Sequence, residues 1–463
     1  MRNSFFSLLA GVASVVAVKG SSVEERQSSL APVTISGNAF YTGSDRFYIR
    51  GVDYQPGGGT GFVQDPIADV TSCKRDIEQF TKLGINTVRV YAVDNTADHD
   101  GCMNALAAAG IYLVLDINTP LYSINQADPS ISYNSVYLQS VFATIDAFAG
   151  YSNTLAFFSG NEVINQASNT NAAPYVKATT RDMKQYIGSR GYRQIPVGYA
   201  AADVASNQKI LADYLNCGTD DQRADFYAIN IYSWCDPSTF TTSGWDVLVQ
   251  NYTGYGIPLF MSEFGCITNK RTFQEVAALY STEMTDVFSG GLVYEYSTEG
   301  NGYGLVTITN GAITEDEQFT LLQTAYKGTP NPSGTGGATT TKGTASTCPP
   351  ASADWLVDTE ALPAIPDAAA KFMSTGAGKG PGLQGKGSQS SGGSDTGSTG
   401  TATPGSGAVI STASGSRGTS TSTSSASGTA ANSAAIKVPP FDRGVLGAMT
   451  VALLGVFSGF LIL

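Results

Sequence analysis

Histidine is almost missing from this chain: of 463 residues, only His99 is one. A Ser-His-Asp triad and most zinc sites need imidazoles, and a lone His in the polar turn NTADHDG (95–101) reads as a solvated surface residue without a role. Any acid or base must then be a carboxyl group. Basic charge is scarce as well: 26 Lys and Arg face 38 Asp and Glu, a formal charge of −12. Nucleic-acid binding, which calls for a basic patch, is excluded on that ground, and the balance suits an acidic secreted enzyme acting on a neutral substrate. Glycine-rich phosphate loops are absent too. GGGTG (57–61) follows the first strand candidate but lacks the GxGxxG spacing and opens no helix. Nothing calls for a metal or a cofactor.

The two ends differ from the middle. Residues 1–20, MRNSFFSLLAGVASVVAVKG, place Arg2 before a short apolar run ending in small residues, the form of a secretory signal peptide. At the other end, VLGAMTVALLGVFSGFLIL (445–463) is preceded by the polar spacer SAAIKVPPFDRG (433–444) and small residues around Asn432. That order matches a GPI-attachment signal, with Asn432 as the attachment residue and 433–463 as the propeptide. A retained transmembrane helix is the competing reading, since the run is long enough to span a bilayer. Between about 331 and 432 Gly, Ser, Thr and Ala dominate and large apolar residues nearly vanish after Phe372. This composition reads as a disordered, O-glycosylated stalk. Residues 21–330 remain as one folded unit, and Asn251-Tyr252-Thr253 within it is an N-glycosylation acceptor.

The six cysteines (73, 102, 217, 235, 266 and 348) contain no CxxC pair. In an exported chain they read as three disulfides, for which the sequence allows fifteen pairings. Cys348 lies beyond the folded unit, so a bridge from it ties the start of the stalk back onto the domain.

From residue 47 onward, β-rich runs alternate with helical patterns. The strand candidates are 47–55, 86–94, 111–119, 154–162, 195–203, 225–234, 257–265 and 291–299; the helix candidates include 73–84, 136–150, 173–191, 273–284 and 315–328. Eight such alternations favour an α/β fold of the (β/α)8 TIM-barrel type over a doubly wound open sheet. In such a barrel the C-terminal strand ends form the active-site rim. They carry Tyr54 and Gln55, Tyr91 and Asp94, Asp116 and Asn118, Asn161 and Glu162, Asp203, Tyr232 and Trp234, Glu263, and Tyr294 and Tyr296.

Two of these stand out. Glu162 ends the fourth strand candidate in FFSGNEVIN (157–165), and Glu263 ends the seventh in MSEFGC (261–266). A retaining glycosidase needs two carboxyl groups roughly 5 to 5.5 Å apart, one attacking the anomeric carbon and one protonating the leaving oxygen. The amide of Asn161 suits the sugar 2-hydroxyl, which assigns Glu162 as acid/base and Glu263 as nucleophile. An Asn-Glu pair that merely caps the following helix is the plainer alternative. Tyr294 and Tyr296, on one face of a strand, are candidates to stack on sugar or hydrogen-bond the nucleophile.

These motifs, with RGVDYQPGG (50–58), NTVRVYAVD (86–94), LDINTP (115–120), NIYSWC (230–235) and SGGLVYEY (289–296), resemble the fungal GPI-anchored β-1,3-glucanosyltransferases, glycoside hydrolases of the 4/7 barrel superfamily. The resemblance spans about residues 33–330. It implies Glu162 as acid/base, Glu263 as nucleophile, Tyr91, Asn161 and Tyr294 at the donor site, and Asp203 on the acceptor side. Where the family has an Arg five residues after that Asp, this chain has Gln208. Gln55, Asp116, Tyr232 and Tyr296 are further candidates. The resemblance also implies the pairs Cys73–Cys102, Cys217–Cys348 and Cys235–Cys266, and the absence of the cysteine-rich carbohydrate-binding module that some relatives carry. The expected activity is cleavage of an internal β-1,3-glucan linkage and transfer of the new reducing end to the non-reducing end of a second glucan chain, elongating cell-wall glucan. A secreted endo-β-1,3-glucanase and a non-catalytic glucan-binding wall protein are the alternatives. The expected setting is a monomer on the outer face of the plasma membrane or in the wall, its partners being donor and acceptor glucans.

Overall fold

The computed structural model describes residues 30–58, 64–358, 361–389 and 401–402. Each strand candidate yields a strand: β1 Ile49–Asp53, β2 Thr87–Val90, β3 Tyr112–Asp116, β4 Thr154–Asn161, β5 Val197–Ala202, β6 Phe226–Ile231, β7 Leu259–Phe264 and β8 Phe288–Val293. They pair in parallel, in chain order, and β8 closes on β1. Almost every strand residue is buried, because the barrel interior takes one face and the helices the other. The eighth strand starts and stops earlier than the sequence suggests. Ser289-Gly290-Gly291, which looks like a turn, lies inside β8 with Gly290 opposite Ile49.

The surrounding helices are α1 Val70–Leu83, α2 Asp100–Ala108, α3 Ser135–Phe148, α4 Ala173–Ser189, α5 Gln208–Leu215, α6 Trp245–Tyr252, α7 Glu275–Leu279 and α8 Glu317–Gly328. Helix α1 starts where the Asp69 side chain accepts from the Thr71 amide and stops at Gly84, whose φ of 73° only glycine adopts readily. Three short antiparallel strands (Thr34–Ser36, Ala39–Thr42 and Asp45–Phe47) cover the N-terminal mouth. From them Phe40 reaches Phe226 and Phe260, which with Phe158 fill the interior below the site. With its lower end filled, the barrel can accept a ligand only at the C-terminal rim.

Two expectations are corrected. His99 is not solvated: it is 1% exposed, lies 2.7 Å from Asp65 and packs on Phe148. The linker expected from 331 is in large part packed. Cys348 bonds to Cys217, Trp355 is fully buried against Tyr214, and Leu362 and Met373 are buried as well. Phe372 meets Phe142 of α3, and the chain continues on the barrel to Gln389. A few buried anchors hold this segment, which average composition conceals. The pairs Cys73–Cys102 and Cys235–Cys266 are also present. The signal peptide, Asn432 and the 433–463 tail lie outside the described residues.

Candidate active site

A charged residue in the middle of a buried strand requires partners, and Arg89 of β2, fully buried, has them on four sides. Its Nε and Nη2 donate to both oxygens of Asp116 at 3.0 and 2.9 Å. Nη2 also donates to Asn161 Oδ1 at 3.0 Å, and Nη1 donates to the Ser262 carbonyl and to Glu263 Oε1, both at 3.2 Å. The guanidinium lies over the rings of Phe158 and Tyr91. One side chain thus ties β3, β4 and β7 together beneath the cleft floor.

Three donors converge on Glu263 at the end of β7: Arg89, Tyr91 OH at 2.8 Å and Tyr232 OH at 2.7 Å. That fixes the carboxylate without a rotamer choice left open. Glu162 sits just past β4 with a left-handed φ of 48°, unusual for a residue with a side chain. Its amide donates to the Ala200 carbonyl at 2.9 Å, its own carbonyl accepts from Gln126 Nε2 at 3.0 Å, and Oε1 accepts from Asn230 Nδ2 at 2.8 Å. Burial, reinforced by the charge of Glu263, pushes the Glu162 carboxyl up to about 7, so it holds a proton near neutral pH. Asn230 joins the two halves. Its Nδ2 also reaches Asn161 Oδ1 at 3.2 Å, and its Oδ1 accepts from Ser262 Oγ at 2.7 Å. With Arg89 and Asn230 both donating to its oxygen, the Asn161 amide presents its nitrogen as a donor.

Tyr294 forms an edge-to-face cluster with Tyr232 and Tyr303, at centroid distances of 5.2 to 6.3 Å. Arg271, which is buried, holds this wall from behind. It donates to the carbonyls of Tyr294 at 2.6 Å and Tyr303 at 2.5 Å. Asp203, farther along the rim, accepts from Gln208 Nε2 at 2.8 Å, so Gln208, itself buried, acts by holding that carboxylate.

Tyr91, Asp116, Asn161, Glu162, Tyr232, Glu263 and Tyr294 therefore share one cleft. Gln55 and Tyr296 do not. The Gln55 amide is used up on backbone, accepting from the amides of Tyr91 and Ala92 and donating to the Gln64 carbonyl. Because β8 ends at Val293, Tyr296 no longer follows the strand alternation. It is fully buried with its hydroxyl on Asp76 of α1, beside Tyr54. Trp234 likewise turns inward to Asp236 and Trp245.

Sequence reasoning missed Arg89, Asn230, Ser262, Tyr303 and two carboxyl groups. Asp53, which ends β1, is fully buried and its carboxyl oxygens find no hydrogen-bond partner among the described residues. Burial, with Glu263, Asp116 and Glu295 adding and Arg89 opposing, holds it far above the ordinary carboxylate range. Glu295 is pushed up to about 7, chiefly by burial, and accepts from Asn301 at 2.6 Å. A lone Arg, Asp or Asn inside an apolar strand was the available signal.

A family model described as Glucanosyltransferase matches residues 22–330. The chain is similar to the 1,3-beta-glucanosyltransferase gel1 of Aspergillus fumigatus, 61% identical over 380 residues covering 82% of this chain and 83% of that one. It is 50% identical to the 1,3-beta-glucanosyltransferase GAS5 of Saccharomyces cerevisiae, covering 81% and 77%. Among solved structures it resembles Saccharomyces cerevisiae Gas2p in complex with laminaritriose and laminaritetraose, with a TM-score of 0.67, 38% identity, and 74% and 78% coverage. On that match and those identities, the chain belongs to the glucanosyltransferase family.

Proposed function

We propose that this protein is a 1,3-β-glucanosyltransferase working by retaining double displacement, with Glu263 as nucleophile and Glu162 as acid/base. The observation that carries the assignment is the division of labour between the two carboxyl groups. Three donors fix Glu263 for attack, while burial keeps a proton on Glu162 at neutral pH.

A Glu263 oxygen attacks the anomeric carbon of an internal β-1,3 linkage. The glycosidic oxygen leaves with the proton from Glu162, and a glucosyl ester on Glu263 remains. Glu162, now ionised, takes the proton from the 3-hydroxyl of a second chain. That oxygen displaces Glu263, restoring both carboxyl groups and the β configuration. The Asn161 amide suits the 2-hydroxyl, where its hydrogen bond strengthens as charge develops, and the Tyr232, Tyr294 and Tyr303 wall suits the sugar faces. Asp203, held by Gln208, suits the acceptor side. Water in place of the acceptor makes the same site a hydrolase.

Reduced laminari-oligosaccharides decide between the two. Products both longer and shorter than the donor are expected, and a product set with nothing longer than the donor would exclude transfer. Glu263→Gln is expected to lose activity, and wild-type activity in that variant would remove the nucleophile assignment.

The same proposal extends to location. The signal peptide and the small-residue, spacer and apolar-tail order support GPI linkage at the outer face of the plasma membrane, with attachment at Asn432. Phosphatidylinositol-specific phospholipase C is expected to release it from membranes. Retention after treatment would favour the transmembrane alternative. Asn251, exposed at the end of α6, is open to glycosylation.

A further inference from the structure

Residues 378–389, GKGPGLQGKGSQ, have the composition of a flexible linker, yet four of the glycines are demanded by contact. A Cβ on Gly380 would fall 2.1 Å from Asn95 Oδ1, and one on Gly385 would fall 2.0 Å from Tyr122 Oη. Gly382 and Gly387 have φ values of 67° and 80° and lie against Asp94 and the Leu121 carbonyl. The backbone is pressed onto the loops that follow β2 and β3. Hydrogen bonds fasten it there: Gly382 N to Asn95 Oδ1 at 3.0 Å, Gly387 N to Tyr122 Oη at 3.2 Å, and Ser388 N to the Leu121 carbonyl at 2.8 Å. Gln389 Nε2 reaches both the carbonyl and the hydroxyl of Ser123 at 2.7 Å.

Three residues beyond Ser123, in the same rim loop, is Gln126, the residue that donates to the Glu162 carbonyl. Glu162 occupies a left-handed conformation that costs on the order of 1 kcal/mol. Such a conformation persists only where the surroundings over-determine it, and Gln126 supplies one of its few constraints. We propose that the 378–389 strap is a positioning element of the active site: it clamps the 119–126 loop so that Gln126 holds Glu162 in its left-handed, cleft-facing conformation. The inference rests on the assignment of Glu162 as acid/base.

Full-length protein carrying Gly382→Val with Gly385→Val tests it, since the new side chains meet Asp94 and Tyr122 and wedge the strap off the two loops while every barrel residue stays unsubstituted. Trypsin cleavage at the exposed Lys379 and Lys386 is expected to accelerate. On laminari-oligosaccharides kcat is expected to fall at least about tenfold with KM within about twofold. The alkaline limb of the pH profile is expected to move to lower pH, because a loosened Glu162 is better solvated. A purely structural strap would not move that limb. A folded variant with wild-type kcat and pH limb overturns the proposal, as does a change in KM alone, or a strap as trypsin-resistant as in the parent. If the double variant does not fold, Gln126→Ala cuts the same connection at its inner end: a lowered kcat with a shifted limb supports the proposal, and wild-type values overturn it. Glu162→Gln run alongside separates this from failure of the acid/base assignment, since activity surviving there refutes the assignment itself.

Discussion

Glu162 is the residue whose chemistry and thermodynamics are most directly linked. Its carboxyl titrates near 7 in the folded protein against about 4.5 as the ordinary value. Below about pH 4.5 both states hold the proton and the group contributes nothing to pH dependence. As pH rises from there to about 7, the unfolded state loses its proton first, so stability falls, and above 7 the full penalty applies. That penalty is ~1–3 kcal/mol at about 1.4 kcal/mol per unit, discounted for partial solvent access. Glu162→Gln is therefore expected to match the parent's denaturant midpoint near pH 4.5 and exceed it at pH 8. A difference equal at both values would refute the shifted carboxyl. On the proposed acid/base role the same titration governs activity: cleavage would use the acid form, so kcat/KM should decline about tenfold per unit once pH passes 7, which a pH–rate profile reads directly. Arg89 tests the cleft floor. Lysine keeps the charge but lacks the fork that meets Asp116, Asn161 and Glu263 together. Arg89→Lys should lower kcat at least about a hundredfold and, by leaving buried acceptors unsatisfied, stability by ~1–3 kcal/mol, and near-normal kinetics would show that the network does not position Glu263. Glu162 and Glu263 were legible because a carboxylate ending an apolar strand needs a reason. Asn230 was not: one Asn in an apolar strand names no partner until the barrel closes.

The strands were easier to locate than their ends, and the ends decide the site. All eight emerge from alternating β-rich and helical runs, yet β8 stops at Val293. That early stop separates Tyr294, which joins the cleft wall, from Tyr296, which is buried on Asp76. Strand alternation alone puts them on one face, because periodicity carries no information about where pairing ceases. Beyond β8, the wall depends on Arg271, a buried cation whose donors go to the neutral Tyr294 and Tyr303 carbonyls and to Gln318 Oε1. Burial lowers its guanidinium to about 10, still charged at neutral pH. Arg271→Met should free these carbonyls and loosen the Tyr294 and Tyr303 pair while leaving the Arg89 and Tyr91 contacts to Glu263 intact. KM for laminari-oligosaccharide donors is then expected to rise about tenfold with kcat within about threefold, since lost ground-state contacts act on binding. A kcat collapse at unchanged KM would instead place Arg271 in the positioning of Glu263.

At the scale of the whole molecule, composition misplaced the end of the folded part. Gly, Ser and Thr dominate past 330, and only a close reading of Cys348, Trp355, Leu362 and Met373 hints that the chain is still anchored. Each anchor covers a different part of the barrel's outer shell: Cys348 and Trp355 at Cys217 and Tyr214, Leu362 and Met373 over α4, and the strap over the β2 and β3 loops. The similarity to gel1 over 380 residues, longer than the 22–330 family match, agrees with a structural unit that continues past 330. A chain ended at residue 330 would leave Cys217 unpaired and uncover the surfaces beneath Trp355 and Leu362. Losing the disulfide costs ~2–5 kcal/mol and losing a buried Trp a further ~3–5 kcal/mol, comparable with the ~5–15 kcal/mol by which whole domains are stable. Expression of chains ended at 330 and at 389 is expected to give insoluble or thermally fragile protein from the first. The second is expected to match the melting temperature of the full-length protein. Equal melting temperatures for the two would mean that the wrapped segment rides on the barrel without stabilising it.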